Sequence, residues 1–312
     1  MTNNRISWVD TLKAIGILSV ILGHIQTPFT AFIFSWHMPL FFFIAGFFIK
    51  YDISSREFIT KDFKRLMIPY FIFSILALII ETLKRLSINK ENLDYFFELK
   101  GIFLYMDYPN LINTYAFVLW FLPALFLGRF LIHLLGKKIK SIVMQLLIVS
   151  FLFYSSFHLD LYFAIDNAFN SALFIFLGSI FYKLYKDEKI LYTLILIPPV
   201  LIFNFGIPNL NMALKIFDHV FINILFASSA IFILIKLVNR LHLNSKLITL
   251  WGANTMILFI IHPYTNHIGH IIFENDILYG NWHMKLITSL IILQLILFLK
   301  ERFINRGIFK YV

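Results

Sequence analysis

The stretch RISWVDTLKAIGILSVILGH, Arg5 to His24, places charge where charge is expensive. From Trp8 onward it reads as a membrane-spanning helix, yet it carries Asp10, Lys13 and His24. Lys13 and His24 are eleven residues apart, which is about three helical turns. The two side chains therefore lie on nearly one face, separated by about 16 Å along the axis. Asp10 sits one turn before Lys13 and can pair with it. Gly16, Ser19 and Gly23 form a neighbouring stripe of small residues, which suits close packing of another helix. Ionisable groups on such a helix mark a pathway or a reaction site.

The rest of the chain agrees with a membrane setting. Its 312 residues are 60% hydrophobic and only 14% charged, where a soluble domain is about 25% charged; mean hydropathy is +0.81. The apolar runs are long and recur along the whole length, which indicates helices rather than the short alternating segments of a membrane barrel. There is no cysteine, which excludes disulfides, thiolate catalysis and Cys-ligated metals. The first apolar run is long, contains Lys13 and lacks a small-residue cleavage site, so it is expected to stay on the protein.

Ten candidate spans fit the length of a bilayer crossing. They lie near 8–26, 34–50, 66–83, 115–135, 141–157, 168–183, 189–206, 217–235, 248–268 and 284–301. With the N-terminus in the cytoplasm, nineteen basic residues fall inside, among them Lys61, Lys64, Arg65, Lys137, Lys138 and Arg302. Six fall outside: Lys84, Arg85, Lys90, Lys100, Lys215 and Lys285, while Lys13 and Arg129 lie within spans. This asymmetry places both termini in the cytoplasm. The expected fold is an all-α polytopic bundle of about ten transmembrane helices, a single domain over residues 1–312. Residues 51–65 read as a short cytoplasmic loop and 86–114 as the longest outer one.

Three histidines fall in the outer half of the membrane on this topology: His24, His37 in SWHMPLFFFIAGFF, and His262 in NTMILFIIHPY. They can line one cavity; the alternative is that each is an interfacial histidine bonded to a backbone carbonyl. No close-spaced pair on one helix face accompanies them, so a metal site is not expected. Lys61, Lys64 and Arg65 are either ordinary positive-inside flanking or a patch for an anionic ligand such as a nucleotide phosphate. Trp120 opens a span that Pro123 is expected to kink. Asn254 is a candidate for an interhelical hydrogen bond.

Taken together, these residues resemble the acyltransferase-3 membrane proteins, in particular their shorter, fucose 4-O-acetylase-like branch. WVDTLKAIGILSVILGH carries the family's basic residue and histidine with ten residues between them, as Lys13 and His24. HMPLFFFIAGFF, KRLMIPYF, LWFLPALF and GANTMILFIIHP follow in the family's order. One departure stands out: the family often has Arg-x-x-Arg in the cytoplasmic loop, and counted back from Arg65 the first position is Asp62.

The resemblance implies transfer of an acyl group, usually acetyl, from cytoplasmic acetyl-CoA to a hydroxyl of a glycan or glycolipid, in a bacterial plasma membrane. No nucleic-acid partner is implied. His24 would act as general base or brief acyl carrier, with Lys13 and Asp10 beside it. Lys61, Lys64 and Arg65 would hold the donor's phosphates. His37, Trp120, Asn254 and His262 would line the substrate site. The rival readings are a transporter or flippase of lipid-linked sugars and a membrane glycan polymerase.

Overall fold

The computed structural model describes residues 6–184, 196–241, 245–274, 277 and 279–303. Its contacts form two compact units. One contains Met1–Phe41, Asp187–Leu210 and Phe217–Val312; the other contains Phe42–Lys186 and Asn211–Ile216. The chain begins with α1 (Ser7–Gly23), α2 (Thr30–Phe34) and α3 (His37–Gly46), and α3 carries it into the second unit. There follow α4 (Ser55–Asp62), α5 (Ile68–Ser87) and the short α6 (Tyr95–Lys100) and α7 (Tyr108–Leu111). α8 (Phe121–Lys138), α9 (Ile142–Ser155) and α10 (Ile165–Leu184) complete that unit. The first unit resumes with α11 (Ile197–Phe205), α12 (Val220–Leu241), α13 (Lys246–Ala253), α14 (Thr255–Ile272) and α15 (Trp282–Arg302). Strand among the described residues is confined to Leu210–Asn211 and Ile216–Phe217.

Among the described residues, five helical stretches are long and apolar enough to cross a membrane: Ser55–Ser87, Tyr115–Lys138, Tyr162–Lys183, Val220–Leu241 and Trp282–Arg302. A sixth forms if α13 and α14, bent by 87° at Asn254, count as one span. Hydropathy alone gives ten stretches, and the difference has local causes. Stretch 8–26 stops as a helix at Gly23, with 17 helical residues. Stretch 34–50 is divided at Ser35 and Trp36, and α9 has 14 residues. The seventh stretch lies partly outside the described residues.

Two local readings of the sequence are corrected. Residues 51–65 are not mainly loop: α4 starts at Ser55, where the Ser54 hydroxyl accepts the Glu57 N–H at 3.1 Å, a serine cap of the kind that fixes helix starts. The helix then continues to Ser87 through one wide turn at Phe63–Met67, in which the Ile68 N–H reaches the Phe63 carbonyl five residues back. Pro69 explains that turn, because it has no N–H for the Arg65 carbonyl and its ring would crowd it. The ninth stretch is likewise not one straight helix. Asn254 ends α13, and its Nδ2 donates to the Leu250 carbonyl of its own helix at 2.8 Å rather than to a neighbour.

Within the first unit α1 is the central element, with Leu12, Ile17 and Ile21 fully buried. Gly252 of α13 meets it so closely that a methyl group there would overlap the Asp10 carbonyl. The small-residue stripe on α1 takes side chains of two other helices, α2 and α3. Gly16 receives the side chains of Leu40 and Phe41, and Gly23 those of Ile33 and Phe34.

Candidate active site

The site begins where α1 ends. The Ile25 N–H turns back to the Leu22 carbonyl at 3.2 Å, Gln26 adopts φ 59°, and Pro28 follows. The helix cannot continue through this sequence. His24 is left as the cap residue, with exposed surface.

Two buried histidines stand near it. The His262 ring centroid is 5.2 Å from that of His24. Phe34 lies between His24 and His37, at 5.9 Å from the first and 5.1 Å from the second. His37 is 5% exposed and His262 is 0%, so of the three only His24 has substantial accessible surface.

The two buried rings are oriented by helix-end chemistry. Pro263 has no N–H for the carbonyl four residues back, which is Phe259. His262 fills that vacancy, with Nδ1 2.7 Å from the Phe259 oxygen. His37 Nδ1 lies 2.8 Å from the Ile33 oxygen at the end of α2, which also accepts the Trp36 N–H at 3.3 Å. A carbonyl only accepts, so both Nδ1 atoms carry the proton and both Nε2 atoms offer a lone pair. The Nε2 of His262 is buried and has no hydrogen-bond partner among the described residues. Both rings thus bond to carbonyls, as the interfacial reading has it, and both also gather about His24.

On the same helix, Lys13 Nζ is 3.3 Å from Asp10 Oδ1, with Asp10 nearly buried and Lys13 partly accessible. Among the described residues no three His, Asp or Glu side chains are grouped closely enough to hold a metal ion.

The family model for an acyltransferase domain matches residues 6–299. The chain belongs to the acyltransferase-3 family. No curated protein and no solved structure matches it. The match begins one residue before α1 and ends within α15, so it covers helices of both units.

The remaining sequence candidates of this acyltransferase lie apart from the histidines in the chain, and most fall in the second unit. Lys61 pairs with Glu57 at 2.5 Å on the exposed side of α4. Arg65 reaches Asp62 at 3.1 Å. Lys64 is exposed and has no ion-pair partner among the described residues. Lys64 and Arg65 both stand on the wide turn, a feature often found at functional sites. Trp120 is buried between Phe42 and Phe121, with ring centroids 6.3 and 6.4 Å away.

Sequence reasoning missed one structure in this unit. Arg129, His133 and Lys137, spaced one turn apart on α8, all reach carbonyls of residues 45–53. Arg129 Nη1 donates to Ala45 at 2.6 Å, His133 Nδ1 to Lys50 at 2.6 Å and Lys137 Nζ to Ile53 at 2.8 Å. Arg129 Nε also donates to Asp62 at 2.7 Å. The signal was present: an arginine inside an apolar span requires a partner.

Proposed function

We propose that the protein is a membrane O-acetyltransferase that moves acetyl from cytoplasmic acetyl-CoA to a hydroxyl of a cell-surface glycan or glycolipid. It resides in a bacterial plasma membrane as a bundle of about ten spans with both termini inside. The observation that carries this reading is the exposed His24 at the end of α1, 5.2 Å from the buried His262. Membership of the acyltransferase-3 family supplies the reaction class.

In the reaction, a His24 nitrogen takes the proton of the acceptor hydroxyl as its oxygen attacks the thioester carbon. The C–S bond then breaks, and the CoA sulfur leaves with that proton. In the covalent variant the His24 nitrogen attacks first and carries the acyl group until the hydroxyl displaces it. Lys64 and Arg65, with Lys61 beside them, hold the donor's phosphates; Lys13, its charge balanced by Asp10, contacts the donor. His37 and His262 shape the acceptor side, and Asn254 and Trp120 line the substrate path.

The test is transfer of labelled acetyl from acetyl-CoA to membrane glycans, wild type beside His24→Ala. Labelling that falls by about 100-fold or more in the variant is the expected result. Full labelling by a folded His24→Ala protein would remove His24 from the mechanism. Absence of transfer from acetyl-CoA by the wild type, in membranes and after purification, would favour transport of lipid-linked sugars.

A further inference from the structure

We propose that Asn266 is a positioning residue of the acyl-transfer site, setting the end of α1, and with it His24, against His262. The proposal rests on the reading of His24 as the reacting group. It starts from an orphan at a helix end. Helix C-termini leave carbonyls without intrahelical donors. At the end of α1 the Ile25 N–H, which would complete the turn on Ile21, bonds to Leu22 instead. The Ile21 oxygen receives its hydrogen from α14, where Asn266 Nδ2 donates to it at 3.0 Å.

Asn266 is itself held. Its Oδ1 accepts from the Ser289 hydroxyl of α15 at 2.8 Å, and the Ser289 oxygen lies 2.6 Å from the Thr265 hydroxyl. Ser289 uses its one proton on Asn266, and Thr265 shares its one proton between the Ser289 oxygen and the His262 carbonyl, 3.1 Å away. The amide orientation of Asn266 is therefore fixed at both ends, by a group that only accepts and by one that donates. Thr265, Asn266 and Ser289 are all buried. In an apolar bundle such a satisfied chain of hydrogen bonds favours one packing of its helices over neighbouring ones. The helices also approach closely here, since a methyl on Gly269 would come within 2.9 Å of the Lys285 carbonyl.

The register of this contact is what connects it to the site. Asn266 lies four residues after His262, one turn along the same face of α14. Ile21 lies three residues before His24. One hydrogen bond between these two turns fixes their relative height, and the 5.2 Å spacing of the two imidazoles follows from it. Misplacement of a reacting group by about 1 Å lowers turnover by up to about 100-fold.

The experiment uses the full chain with Asn266→Ala, Ser289→Ala and Ser289→Thr, each checked for wild-type elution as a folded species. Expected for Asn266→Ala is a fall in kcat of about 10- to 100-fold with KM for acetyl-CoA unchanged. Ser289→Ala gives a smaller fall, and Ser289→Thr, which keeps the hydroxyl, restores turnover. In a His24→Ala background the Asn266 substitution has no further effect. Nitrogen NMR of the labelled histidines supplies a readout independent of activity, with the His24 and His262 signals shifting in Asn266→Ala. Unchanged histidine signals, an unchanged kcat in Asn266→Ala, or equal losses with and without His24 would overturn the proposal. If Asn266→Ala fails to fold, Ser289→Ala decides by the same kinetic and NMR criteria. Shifted signals in a protein without transferase activity would uphold the positioning and instead overturn the role given to His24.

Discussion

Arg129 Nε donates to Asp62 Oδ2 at 2.7 Å, and both side chains are almost wholly buried. The other oxygen of the same carboxylate takes Arg65, at 3.1 Å. One acid thus serves two cations, the buried one anchoring α8 to the end of α4 and the exposed one on the wide turn. Asp62→Asn keeps the shape and removes the charge, leaving Arg129 buried without its counter-charge. The expected loss is about 3 kcal/mol or more, seen as a clear fall in the thermal midpoint of the purified protein. Arg129→Met should cost less, because Arg65 still faces Asp62. An unchanged midpoint in Asp62→Asn would show that the carbonyls of Ala45 and Phe48 hold Arg129 alone.

That pair also marks where the sequence stops being informative. Asp62 is visible as a departure from the family pattern and Arg129 as a charge in an apolar span. Nothing in the sequence joins two residues 67 positions apart. α1 was legible because its evidence is local: the apolar run, the Asp10–Lys13 spacing and the face shared with His24. Helix content was legible for the same reason. The gathering of His37 and His262 about His24 depends on how α2, α3 and α14 pack, which periodicity does not encode. The 87° bend at Asn254 was hidden because α13 and α14 are both apolar, and hydropathy reads straight across the break.

His262 has two jobs that can be separated. Its Nδ1 bonds to the carbonyl that Pro263 leaves open, and its Nε2 has no hydrogen-bond partner among the described residues. An asparagine amide nitrogen occupies roughly the place of Nδ1, so His262→Asn should keep the repair and lose Nε2. If Nε2 serves the reaction, His262→Asn folds like the wild type yet loses transfer by about 100-fold. If the repair is all that matters, His262→Asn retains transfer while His262→Ala does not. Transfer kinetics beside a thermal melt of the three proteins distinguish these outcomes.

The segment between α5 and α8 should respond to pH through Glu98. This carboxyl is 2% exposed and accepts from Asn113 Nδ2 at 2.8 Å. Burial raises its pKa above the usual value, against the opposing pull of Asn113 and Arg85. Burial raises Asp107 as well, against its hydrogen bonds from Asn110. A carboxyl raised in the fold contributes stability that is fully present below its unfolded pKa and is lost as pH rises through its folded one. Glu98→Gln keeps the bond to Asn113 and removes the titration. The variant should therefore melt higher than the wild type at neutral pH and match it in acid. Equal midpoints at both pH values would mean that Glu98 is solvated and its ionisation carries no cost.

Close approach at α1 can be tested by adding a single methyl. Gly252 faces the Asp10 main chain, which has no room to yield. Gly16 faces the ring of Phe41, at 2.8 Å from a methyl placed there, and the end of Leu40. Both are side chains that can turn aside. Gly252→Ala should therefore cost about 1–3 kcal/mol, whereas Gly16→Ala should cost less than half as much. Because Asp10 is the partner of Lys13, the methyl at Gly252 should also lower transfer by displacing that pair, while Gly16→Ala leaves the pair in place. The comparison needs only two midpoints and two rates. Equal costs would show that α13 can move off α1 freely, and would remove Gly252 as the contact that fixes Asp10 and Lys13.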